Sequence, residues 1–126
     1  MEIYYIGGRY MKYNTYFCDI DGTVFKYRIF DEMETTPAEV IESTKDLLVK
    51  WYNEGHHIVM TTARPPELRN FTVMELYNNG IPHHQLVMGI GRGIRFVIND
   101  MDPQKEGKRA HAINLYRDKG FNINVD

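Results

Sequence analysis

Residues 14–20, NTYFCDI, combine aromatic and β-preferring side chains and run into a turn, which predicts a strand. The period then changes. In TPAEVIESTKDLLVKWYNEG (36–55), Val40, Thr44, Leu47, Leu48 and Trp51 fall on one helical face. Thr36 suits the cap, Pro37 the first turn, Glu39 a capping box and Gly55 the position after the end. HHIVMTT (56–62) predicts a second strand, and PPELRNFTVMELYNNG (65–80) a second helix from tandem prolines to Gly80. QLVMG (85–89) and RFVIND (95–100) predict two short strands, KRAHAINLYRDKG (108–120) a third helix, and FNINV (121–125) a last strand. MEIYYIGGRY (1–10) reads either as an extra edge strand or as an extension before a natural start at Met11.

Alternating strands and helices predict an α/β fold with a mostly parallel sheet. The 126 residues are expected to form a single domain, 1–126, with enough core to fold without staples. A net charge of −2 gives no electrostatic footprint for nucleic acid or an anionic membrane. The single cysteine, Cys18, excludes an internal disulfide framework and fits a reducing compartment. No apolar run approaches a membrane span, and the start does not look like a signal peptide, so a cytoplasmic location is expected.

In parallel sheets, ligands collect outside the carboxyl ends of the strands. Asp19 and Asp21 lie at the end of the first predicted strand, Thr61 and Thr62 at the end of the second, and Asn99, Asp100 and Asp102 at the end of RFVIND. Acids and hydroxyls would thus converge on one sheet edge. Such a set suits Mg²⁺, which takes oxygen ligands and keeps several waters. A carboxylate there can attack phosphorus, and a second acid two residues on can protonate the leaving oxygen and activate water. Backbone N–H groups in the turn through Gly22 and Thr23 would hold phosphoryl oxygens.

DIDGTVF (19–25) resembles the DxDGT signature of the haloacid dehalogenase superfamily of phosphohydrolases. IVMTTARP (58–65) looks like that family's second motif and VINDMD (97–102) like its fourth, in the family's order. The resemblance implies a Rossmann-like three-layer sandwich, with helices on both faces of the central sheet. It implies Asp19 as nucleophile and Asp21 as general acid/base, with Mg²⁺ held by Asp19, Asp21 and Asp100, assisted by Asn99 or Asp102. Thr62, or else Thr61, would bind the transferring phosphoryl group beside Ala63 and Arg64. Arg64 reads equally as a surface ion pair. The family's usual lysine is missing between Lys50 and Lys105. Arg95 is the first candidate to replace it, with Arg92 and Lys105 behind it. The spacing leaves room for a small β-flap in GTVFKYRIFDEMETT (22–36) but none for a cap domain, so the open site would be covered, if at all, by another subunit of a homo-oligomer.

The expected activity is Mg²⁺-dependent hydrolysis of a small phosphomonoester, with a sugar phosphate favoured, through a phospho-aspartate. Three alternatives stand beside it. A nucleotide or polynucleotide-end phosphatase would need a basic groove near Arg28, Arg64, Arg69, Arg92 and Arg95. The others are a phosphotransferase and a non-catalytic metal- or phosphate-binding module, the latter supported by the missing lysine. The pairs His56–His57 and His83–His84 flank strands without metal-ligand spacing. Tyr27 and Phe30 are expected to pack or to shape substrate access.

Overall fold

The computed structural model describes residues 3–6, 9–104 and 107–121. Its centre is an open sheet of three parallel strands, β3 (Thr15–Asp19), β4 (His57–Thr61) and β5 (Gln85–Val87), with β4 in the middle. The register pairs Asp19 with Thr61 and Thr61 with Val87, so all three strands end together at one carboxyl edge. Two strands near the N-terminus, β1 (Ile3–Ile6) and β2 (Arg9–Lys12), form an antiparallel pair separate from this sheet rather than an added edge strand.

Helix α1 (Glu42–Asn53) presents Thr44 and Leu48 to the interior, and α2 (Arg69–Asn78) presents Thr72 and Leu76, each pair one turn apart. They close over a core of Ile20, Val24 and Phe25 from the loop after β3, Ile58 and Met60 from β4, and Leu86 from β5. Trp51 of α1 stacks on Tyr16 of β3 with ring centroids 3.9 Å apart. Both helices end in the paired backbone bonds of a Schellman motif: Gly55 to Tyr52 and His56 to Trp51, then Gly80 to Tyr77 and Ile81 to Leu76. The predicted glycine stops are in place.

Three expectations need correction. Helix α1 starts at Glu42, not near Thr36, and its first turn has no side-chain cap. Residues 39–41 are held extended instead: Lys26 N–H donates to the Glu39 carbonyl, Ile41 N–H to the Val24 carbonyl, and Val40 bridges Phe25. That non-local pairing outweighs the capping box. The same contacts are what the predicted β-flap amounts to, two isolated bridges followed by a 3-10 turn at Phe30–Glu32.

RFVIND is not a strand. It forms no ladder with any described strand, and Phe96, Val97 and Ile98 are 82%, 66% and 92% exposed. Local β preference marks a segment able to pair but supplies no partner. Residues 108–120 are not helical either. Asp118 takes a left-handed φ of 66°, which stops a helix, because its backbone and side chain bond across to the loop after β3. The strand expected at 121–125 falls, beyond Phe121, outside the described residues. Among the described residues, no helix is long and apolar enough to cross a membrane.

Candidate active site

Beyond the carboxyl edge lies a pocket of about 230 Å³. Among the described residues, Asp19, Asp21, Thr62, Ala63, Tyr27, Phe30 and three arginines, Arg92, Arg95 and Arg117, line it. Asp19 is the last residue of β3 and Thr62 follows the last of β4, so parallel pairing brings them side by side. Burial pushes the Asp19 carboxyl above its ordinary range. The Ile20 backbone N–H, the Arg95 charge and the Thr23 hydroxyl oppose that rise, while the Asp21 charge adds to it.

Asp21 is held differently. Arg64 donates from Nε to its Oδ2 at 3.0 Å and from Nη2 to its Oδ1 at 2.9 Å. Arg64 is itself fully buried and also reaches Glu75 Oε1 at 2.8 Å and the Thr72 hydroxyl at 3.0 Å. Burial alone would lower the Arg64 pKa, but the bonds and charges of Asp21 and then Glu75 outweigh it and hold it above its usual value. Glu75 in turn accepts from Arg28 Nη2 at 2.7 Å. Two acids and two guanidinium groups thus form a buried chain, Asp21–Arg64–Glu75–Arg28, running from the pocket to the loop after β3. Arg28 fixes that loop by donating to the carbonyls of Met33 and Thr36.

Of the two threonines, Thr62 lines the pocket. It is 1% exposed, its N–H and C=O are bonded to Val87 and Ile90, and its hydroxyl accepts from the Arg64 N–H at 3.0 Å. A hydroxyl that accepts there still has its own proton to donate into the pocket. Thr61, the end of β4, is paired within the sheet.

The turn at Gly22 and Thr23 departs from expectation. Gly22 N–H donates to the Phe25 carbonyl at 2.7 Å and Thr23 N–H to the Ile20 carbonyl at 3.1 Å, so neither amide is left to hold a phosphoryl oxygen. Their part is local. The Thr23 hydroxyl helps to lower the Asp19 pKa, and Gly22, at φ 86°, keeps a face bare against which Arg117 packs.

Asp100 is not brought to the site: its carboxylate is 80% exposed and pairs with Arg109 at 3.2 Å. Asn99 is exposed, and Asp102 accepts from the Gln104 N–H in a turn of its own. These acids stay out because RFVIND does not join the sheet. Of the candidates for the missing lysine, Arg95 and Arg92 both reach the pocket, and Lys105 lies outside the described residues. The basic groove proposed for nucleic acid loses members, because Arg28 and Arg64 are buried in ion pairs and Arg69 bonds the Leu86 carbonyl.

The sequence reading missed Arg117 and Asp118. The Asp118 N–H donates to the Gly22 carbonyl at 2.8 Å, and its Oδ1 accepts from the Tyr27 N–H at 2.7 Å. Nothing local announces this contact, which spans 91 residues. Only the turn-like composition of RDKG (117–120) hinted that a helix there would fail. His56 and His84 prove to be latches: their Nδ1 atoms accept backbone N–H groups from Asn14 and Ile58.

No protein-family model matches the chain, and no curated protein sequence matches it. A crystal structure of a Vibrio cholerae protein resembles it over 68% of this chain and 79% of that one, at 17% identity and a TM-score of 0.48. A likeness that slight bears on neither fold nor function.

Proposed function

We propose that the pocket hydrolyses phosphomonoesters by haloacid-dehalogenase-type chemistry. The observation that carries this reading is the convergence of Asp19, Asp21 and Thr62 in one arginine-lined pocket at the carboxyl edge of a parallel sheet. The Asp19 carboxylate attacks phosphorus, forming the acyl-phosphate bond as the ester P–O bond breaks. Asp21, which must take up a proton from solvent before the ester bond breaks, gives it to the departing alkoxide and regains one from the water that then cleaves the acyl phosphate. Arg64 contributes by aim: it occupies one side of each Asp21 oxygen and leaves further lone pairs directed elsewhere. Thr62 and Arg95 receive the charge that develops on the phosphoryl oxygens.

Among the described residues, no group of three or more His, Cys, Asp or Glu side chains is placed to hold a metal. Mg²⁺ does not need one, since one or two carboxylates, substrate phosphate and water satisfy it. Asp19 would hold it, with the backbone carbonyl of Asp21; Asp100 stands too far outside the pocket to be counted. When bound, the ion would offset phosphoryl charge. The reading assumes the Rossmann-like, three-layer, capless frame expected from the sequence, of which β3, β4 and β5 are the parallel part.

The test is phosphate release from p-nitrophenyl phosphate and a panel of sugar phosphates, with Mg²⁺ and with chelator, beside Asp19→Asn protein. Metal-dependent release that the substitution abolishes is expected. Folded protein that releases no phosphate from any ester overturns the reading.

A further inference from the structure

The pocket holds more fixed positive charge than one phosphoryl group requires. Asp21 is matched by Arg64 within the chain that Glu75 and Arg28 complete. That leaves, among the described residues, one lining carboxylate, Asp19, beside three guanidinium groups. Arg95 acts on Asp19 directly. Arg92 and Arg117 lie instead over the rings of Phe30 and Tyr27, 4.6 Å and 4.1 Å from the centroids. Among the described residues, neither is paired with a carboxylate. A cation–π contact takes no N–H donor to a lone pair, so each guanidinium keeps donors that can meet a carboxylate or phosphate two-pronged.

Arg117 is the better fixed of the two. The next residue, Asp118, is bonded through both its N–H and its carboxylate, and Arg117 Cγ packs where a Cβ on Gly22 would fall, 3.2 Å away. A long side chain held in this way loses little freedom on binding, so its contact carries into affinity.

Resting on the phosphatase reading, we infer that the substrate is a phosphate ester bearing a second anionic group, a carboxylate or another phosphate, and that Arg117 is the residue that recognises it, with Arg92 beside it. The phosphoryl group being transferred occupies Asp19, Thr62 and Arg95, and the second anion meets Arg117, with Arg92 on the same pocket wall. A neutral sugar alone leaves both of them unmet.

The test compares matched ligands by calorimetry in the presence of chelator, so that binding is read without turnover: phosphoglycolate against ethyl phosphate, and fructose bisphosphate against fructose monophosphate. Wild-type protein is expected to bind the doubly anionic member of at least one pair about tenfold or more tightly. Whichever pair separates further names the second anion. In Arg117→Gln the preference is expected to fall to within about twofold, and Arg117→Lys, which keeps the charge but not the fork, to fall between. Equal affinities in both pairs, no binding of any ligand, or a preference that survives in folded Arg117→Gln would each overturn the inference. Release of p-nitrophenyl phosphate is measured in parallel. Its absence counts against the phosphatase reading, whereas the affinity ratios answer for the second anion.

Discussion

Arg64 meets Asp21 side-on, with two parallel N–H donors on two carboxylate oxygens at 3.0 Å and 2.9 Å. The guanidinium has no exposed surface, and Glu75 behind it is shared with Arg28. Removing one member of such a buried chain costs more than the pair contributes, because the charges left behind stay desolvated. Glu75→Gln keeps the shape and an acceptor, but it leaves Arg64 with Asp21 as its remaining carboxylate partner and Arg28 with backbone carbonyls only, among the described residues. It is expected to lower stability by about 3 kcal/mol, read as a lower urea midpoint at unchanged slope. A midpoint within error of wild type would mean that the chain is electrostatically idle.

The two threonines separate by geometry. Thr62→Val removes the hydroxyl of the threonine that lines the pocket and is expected to lower turnover of p-nitrophenyl phosphate by about a hundredfold. Thr61→Val, in the sheet register between Asp19 and Val87, is expected to change it by less than about threefold. The reverse order would assign the phosphoryl contact to Thr61.

What the sequence made legible was whatever short-range pattern determines. Strands β3, β4 and β5, both helices and their glycine stops follow from period and punctuation within about twenty residues. The pair Asp19 and Asp21 was legible for the same reason, since a strand running straight into a glycine turn sets both. Contacts across the chain were not. Lys26 and Val24 pull residues 39–41 out of the helix that Thr36 and Pro37 announce. The apolar composition of RFVIND could not say that it pairs with none of the described strands, and with that pairing absent Asp100 leaves the site. Arg64 looked like a substrate contact or a surface pair, and Glu75 on α2 makes it neither. Arg117 carries no motif; only the docking of Asp118 on Gly22 and Tyr27 brings it to the pocket.

The docked turn can be released by one methyl group. Gly120 is buried at φ 63°, and a Cβ there would collide with Ser43 Oγ and Ile41 Cγ2. Gly120→Ala is expected to cost about 2 kcal/mol, from the left-handed backbone and the overlap together. Phe121, whose N–H bonds Ser43 Oγ, sits edge-on to Trp51 at 6.0 Å, and Trp51 is the only tryptophan. Undocking should therefore shift the tryptophan emission to the red before the urea transition. An unchanged spectrum and midpoint would show that the turn does not need this approach.

Cys18 borders Asp19 but should not react as a free thiol does. Burial first, then the Asp19 charge, push its thiol up to about 12, and it donates to the Asp19 carbonyl. At pH 8 the thiolate is then roughly a thousandfold scarcer than in a free cysteine. Alkylation by iodoacetamide is expected to be slower by that order in the folded protein and normal in urea. Rapid labelling of folded protein would contradict the burial.

Acid is expected to weaken the fold through His84. His84 Nδ1 accepts the Ile58 N–H at 3.0 Å, which requires an unprotonated nitrogen, and its ring lies against His57 at 4.6 Å and Tyr52 at 4.9 Å. Desolvation first, then the charges of His57 and His83, lower its pKa from the ordinary 6.5. The unfolded chain therefore takes up this proton at a higher pH than the folded one. The stability it supports is whole above about pH 6.5 and is lost as pH falls below that value. Wild-type Tm is expected to drop more between about pH 7.5 and about pH 5.5 than that of His84→Gln, whose amide oxygen accepts the same N–H without titrating. Equal slopes in the two proteins would remove His84 as the cause, and a wild-type loss confined to higher pH would mean that the sign is wrong.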